Sequence, residues 1–99
     1  MKKIFISQPM RGKTAQEIEH ARINAIAEVV NATQEQVKVI DSFFKQAPVD
    51  ARPLWYLGES LKLLAEADIA VFIDDWESAR GCSIEHTCAK EYGIEIMYI

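Results

Sequence analysis

Cysteine is scarce: Cys82 and Cys88 are the only two in 99 residues. One pair cannot build the framework of bridges that small secreted domains depend on, and two thiols left free point to a reducing cytoplasm. Three prolines and four glycines exclude collagen-like and low-complexity chains. Basic charge is also short, with eleven Lys and Arg against fifteen Asp and Glu for a net −4. That balance excludes a general binder of nucleic acid polymers, but leaves a few placed cations for a small phosphate-bearing ligand. No apolar run approaches the about 18 residues of a membrane span, so no membrane partner is expected. The start, Met1-Lys2-Lys3 then Ile4-Phe5-Ile6, is basic and then apolar, but Gln8 and Arg11 interrupt it too early for a signal peptide. What is present is ordinary for a globular protein: 49% apolar and 26% charged residues, enough for one modest core and a single domain over residues 1–99.

Short apolar runs alternate with helical stripes. Lys3 to Ser7 reads as a buried strand, followed by a loop, Gln8-Pro9-Met10-Arg11-Gly12-Lys13. Thr14 and Glu17 have the spacing of a capping box, in which a hydroxyl and a carboxylate each satisfy an orphan amide. The helix they open carries Ile18, Ala21, Ala25 and Val29 on one stripe and fades at Asn31 to Thr33. Val37 to Ile40 is a second short strand, and Asp41 to Arg52 a polar loop containing Phe43 and Phe44. Pro53 suits the first turn of a helix with Leu57, Leu61 and Leu64 along one side, ending near Ala67. Ile69 to Ile73 is a wholly apolar third strand. Asp74 to Arg80 is a loop, Gly81 to Tyr92 a helix stopped by Gly93, and Glu95 to Ile99 a fourth strand.

Strands separated by helices pair in parallel through right-handed crossovers. The two most apolar strands, the first and third, belong in the centre, buried on both faces. The second carries Lys38 and suits an edge. The expected fold is therefore α/β: a small flavodoxin-like, three-layer arrangement with a four-stranded parallel sheet in the order 2-1-3-4. Ligands of such sheets bind beyond the carboxyl ends of the strands where the winding reverses. That topological rule alone selects two segments, Ser7 to Lys13 and Asp74 to Gly81.

The first segment offers Ser7, Gln8, Met10, Arg11 and Gly12 ahead of a helix N-terminus. Free amides and the positive dipole end favour an anion there, Arg11 adds a fork of donors, and Gly12 admits close backbone approach. It lacks the glycine pattern of a dinucleotide fingerprint or a phosphate-binding Walker loop, and no cofactor is expected. The second segment holds Asp74, Asp75, Trp76, Glu77, Ser78, Arg80 and Gly81, with Ser78 or Gly81 positioned to cap the next helix. On that helix Cys82, Glu85, Ala89 and Tyr92 share a sheet-facing side. A carboxylate there, near a helix N-terminus, is expected to be held ionised by the dipole and local amides, as a glycosyl nucleophile must be. Cys82 and His86, four apart without a third partner, are too few for a metal site. Trp55 and Tyr56 either pack in the core or wall a flat ligand.

Phe5-Ile6-Ser7-Gln8-Pro9-Met10-Arg11-Gly12, the Ala67-Asp68 strand entry and Arg80-Gly81-Cys82-Ser83-Ile84-Glu85-His86 together resemble the nucleoside 2-deoxyribosyltransferase superfamily, closest to a branch of very small bacterial and phage proteins. The resemblance implies a flavodoxin-like fold and cleavage or exchange of the N-glycosidic bond of 2′-deoxynucleosides or their monophosphates. Glu85 matches the glutamate that attacks the anomeric carbon. The stretch from Ser7 to Gly12 matches the loop that receives substrate and, in monophosphate hydrolases, helps hold phosphate. Ser60 stands where the family has a catalytic aspartate, so Asp74 or Asp75 is the acid available to assist the leaving base, and Ser78 best matches the serine ahead of the nucleophile. Longer members continue past the fourth strand and lend residues to a neighbour's site, a contribution not expected from a segment ending at Ile99. The partners expected are a small-molecule nucleoside or nucleotide and a second copy of the chain. Non-catalytic nucleotide binding is the alternative.

Overall fold

The computed structural model describes residues 1–42 and 47–99; Phe43 and Phe44 lie outside them. The elements follow in the order β1 (Lys2–Ser7), α1 (Ala15–Thr33), β2 (Val37–Val39), α2 (Pro53–Leu64), β3 (Ile69–Phe72), α3 (Arg80–Glu91) and β4 (Glu95–Tyr98), with a 3₁₀ turn at Trp76–Ser78 before α3. The four strands form one all-parallel sheet in the order β2-β1-β3-β4, the flavodoxin-like arrangement that the strand–helix alternation predicts. The two most apolar strands lie in its centre, and β2, with exposed Lys38, lies on an edge. Among the described residues no helix is long and apolar enough to cross a membrane.

The pleat divides β1 and β3 between two cores. Ile4, Ile6, Ile69, Val71 and Ile73 pack against Ala25 and Val29 of α1. Phe5, Ala70 and Phe72 point the other way, against Leu64 of α2 and Ala89 of α3. Since side chains alternate along a strand, Ser7 continues the Phe5 face toward α2 and α3. Its register partner on β3 is Phe72, and its carbonyl accepts the Ile73 amide at 3.0 Å. This places a polar side chain at the carboxyl end of a central strand, on the face that two helices cover.

The capping box forms as read. Thr14 Oγ1 accepts the Glu17 amide at 3.1 Å, and Glu17 Oε1 accepts the Thr14 amide at 3.2 Å. Thr14→Ala is expected to cost about 1 kcal/mol, a fall in Tm of about 4–8 °C for a domain of this size; calorimetry showing no change would contradict a stabilising role for the box. One local expectation is corrected. α3 begins at Arg80 with Ala79 as its N-cap and no side-chain cap; Ser78 Oγ instead donates to the Asp75 carbonyl at 2.8 Å. Gly12 has open space where a side chain would stand and a φ of +79°. It is needed for the left-handed backbone of the turn closed by the Lys13 amide on the Met10 carbonyl.

Candidate functional site

Glu85 is the centre of the site. α3 lays Cys82, Glu85 and Ala89 against the sheet as its buried side, and Glu85 therefore meets the end of β1. Ser7 Oγ donates to Glu85 Oε1 at 2.7 Å, both groups buried, with Glu85 only 7% exposed and Ser7 2%. Ser60 of α2 lies near the same carboxylate. These side chains line a cavity of about 460 Å³ whose walls include Phe5, Met10, Pro53, Tyr56 and Leu57. That volume lies in the range of small-molecule sites. Glu85 is the only acid among the cavity-lining residues described, and no basic side chain lines the cavity with it.

Burial is the largest influence on Glu85 and pushes its carboxyl above the usual carboxylate range; hydrogen bonds from Ser7 and Ser60 pull it partly back. Glu85 lies in the second turn of α3, so its burial works against the ionised form that the helix start favours. The neighbouring Cys82 thiol is likewise pushed up by burial, so it stays protonated.

A second, polar cleft of about 540 Å³ adjoins the cavity. Arg11, Lys13 and Arg80 line it together with Asp75 and Ser78, three cations against one carboxylate. Ala79 and Gly81 line both spaces and form the saddle between them. The cleft therefore sits at the start of α3, whose first-turn amides have no side-chain cap. Cations, free amides and a helix N-terminus converge there on the chemistry of an anion.

The family model for a domain of unknown function, DUF4406, matches residues 2–98. The chain belongs to that family. No curated protein and no solved structure matches it. The match runs from the first residue of β1 to the last of β4, so cavity and cleft both lie wholly within the DUF4406 domain.

Of the residues singled out in the DUF4406 sequence, Ser7, Gln8, Met10, Gly81 and Glu85 line the cavity, and Arg11, Asp75, Ser78 and Gly81 line the cleft. The side-chain amide of Gln8 donates to the Ile18 carbonyl at 3.0 Å. Asp74 and Asp75 are exposed and do not line the cavity with Glu85. The acids expected to assist the leaving base therefore lie outside the cavity of Glu85, with Asp75 in the adjoining cleft. β3 ends before them, and Asp75, at a φ of +73°, turns the chain into the 3₁₀ segment. Trp76 is carried in the same direction. It stacks on His86 at 4.1 Å between ring centroids, beside Phe72 and Tyr98, and does not wall the cavity. His86 is held in that cluster by a 2.6 Å contact with the Tyr98 hydroxyl. Tyr92, placed on the sheet-facing side by spacing, is 84% exposed because the helix has ended at Glu91. Tyr56, 42% exposed, walls the cavity rather than packing in the core.

Lys13 and Arg80, which lie in the two segments that the topological rule selects, belong to the cleft, and Ser42, Pro53 and Leu57, which the sequence does not mark as site residues, belong to the cavity. Ser60 stands out in the sequence only as a departure from the family pattern. Helical spacing carries a signal for it all the same: Ser60 is three residues after Leu57 and four before Leu64, on the stripe that faces inward.

Proposed function

We propose that this DUF4406 chain acts on the N-glycosidic bond of a 2′-deoxynucleoside monophosphate, with Glu85 as the nucleophile. One observation carries the reading: a buried carboxylate in a largely apolar cavity lies across a two-residue saddle from a cleft of three cations. The likeness of Ser7 to Gly12 and Arg80 to His86 to the deoxyribosyltransferase pattern supports it. The phosphate lies against Arg11, Lys13 and Arg80, the sugar crosses Ala79 and Gly81, and the base enters between Met10, Tyr56 and Leu57. A Glu85 oxygen bonds to C1′ as the C1′–N bond breaks, and that bond's electron pair leaves with the base, which takes a proton from solvent. Water then adds its oxygen to C1′, releasing the Glu85 carboxylate and a proton. A second base in place of water gives transfer instead of hydrolysis. Asp74 and Asp75, exposed and outside the cavity lining, are given no role at the leaving base.

A second reading is a nucleotide-binding module without turnover. It is favoured by Glu85 being the only carboxylate among the described cavity-lining residues, with burial favouring its neutral form. Chromatography of deoxynucleosides and their monophosphates incubated with the protein separates the two. Base release supports the first reading; thermal stabilisation by nucleotides with no release of base supports the second and ends the first.

The cation cleft makes a separate prediction. Arg11→Ala is expected to weaken monophosphate binding by about 10-fold or more, the value of one charge-assisted hydrogen bond, with a shallower salt dependence. Binding of the matching nucleoside, which lacks the phosphate, should change little. Calorimetric titrations showing equal losses for both ligands would remove phosphate from this cleft.

A further inference from the structure

We propose that Ser7 is a positioning residue: its hydroxyl fixes Oε1 of Glu85 and leaves Oε2 as the oxygen that meets the ligand. The inference rests on the reading of Glu85 as the reacting group, and it moves Ser7 from substrate contact to control of that group. Three observations carry it. Ser7 Oγ donates to Oε1 at 2.7 Å, and Ser7 is 2% exposed, so the bond is buried. Its backbone cannot drift, because its carbonyl accepts the Ile73 amide and its β3 register partner is Phe72. Cys82, one helical turn before Glu85 on α3, lies buried beside the same hydroxyl.

A serine hydroxyl has one proton and two acceptor sites. With that proton committed to Oε1, Ser7 has none left to donate to the neighbouring Cys82 thiol, which burial keeps protonated. Ser7 therefore has no proton left for a ligand. Its effect reaches the ligand through Glu85, by fixing the carboxylate plane and favouring the ionised acid. The other groups facing this carboxyl are Ser60 from α2 and, among titratable side chains of the cavity lining, Cys82 from α3 and Tyr56 from α2. Arg11, Lys13 and Arg80 line the adjoining cleft.

Carbon-13 NMR of the protein labelled at glutamate side-chain carboxyls reads the Glu85 titration directly, with no need for turnover. Ser7 stabilises the charged form, so its loss must raise the midpoint. Ser7→Ala is expected to shift it up by about one pH unit, and Ser7→Thr, which keeps the hydroxyl, to bring it back toward wild type. An unchanged midpoint in Ser7→Ala overturns the proposal. If that variant does not fold, wild type decides: a Ser7 hydroxyl proton protected from exchange and close to the Glu85 carboxyl supports the proposal, and a freely exchanging one overturns it. A wild-type protein that releases no base defeats the glycosidase reading but leaves the NMR titration to judge the Ser7–Glu85 coupling separately.

Discussion

Glu85→Gln is expected to lower base release by about a thousandfold or more, the scale of losing a covalent nucleophile, while leaving the chain folded. Glutamine keeps the shape of glutamate, and its side-chain carbonyl still accepts the Ser7 hydroxyl, so the buried bond on β1 survives. It cannot form the ester with C1′. The same substitution changes the dependence of stability on pH, and the sign follows from burial. The Glu85 carboxyl titrates higher in the folded chain than its ordinary 4.5, so the folded state holds this proton more tightly than the unfolded state. The contribution is complete below 4.5 and is lost as pH rises through the raised folded value. Glu85→Gln removes that decline. Its advantage over wild type in denaturation experiments is therefore expected to grow as pH rises above 4.5 and then level off. Undiminished base release would end the nucleophile assignment, and stability curves running parallel across that range would contradict a desolvated acid.

Phe72→Ala is expected to cost far more stability than truncation of any exposed side chain. Phe72 has no exposed surface and sits in the core between the sheet and the α2–α3 layer. Its ring also contacts Trp76, His86 and Tyr98, at centroid distances of 5.4, 5.0 and 6.4 Å. Truncating a buried phenylalanine costs about 3–5 kcal/mol, against a typical total of about 5–15 kcal/mol. A fall in Tm of more than about 10 °C follows. Tyr92→Ala, at a position 84% exposed, serves as the control and is expected to stay within about 0.5 kcal/mol. Equal effects at the two positions would contradict the assigned core. The cost at Phe72 also bears on the site, since the ring anchors both Trp76, just after β3, and His86, the neighbour of Glu85 on α3.

The sheet order is legible in the sequence because it follows from strong patterns. Ile69 to Ile73 is apolar throughout, Lys38 marks an edge, and each strand is separated from the next by a helical stripe. Glu85 is legible for a similar reason: spacing from Cys82 to Ala89 fixes which side of α3 faces the sheet. The acids after β3 are not. Nothing local shows that Asp75 adopts a positive φ or that Trp76 turns onto His86, because both depend on aromatic partners from α3 and β4. Nor can spacing show whether burial or the helix dipole governs Glu85, since that depends on how deeply α2 and α3 enclose it. The separation of the cations from the cavity is hidden for the same kind of reason. The topological rule brings the segments of Arg11 and Arg80 together, but does not show that the two line a cleft apart from the cavity of Glu85.

The central claim is that Glu85 acts on the sugar of a nucleotide whose phosphate rests on Arg11, Lys13 and Arg80. The most direct measurement is a crystal structure of Glu85→Gln, which binds without consuming its ligand, with a 2′-deoxynucleoside monophosphate. The account predicts the phosphate in the cation cleft and C1′ about 3–3.5 Å from the side-chain amide at position 85, the separation of a near-attack geometry. A nucleotide bound with its sugar outside the cavity, or with C1′ directed away from position 85, would contradict it.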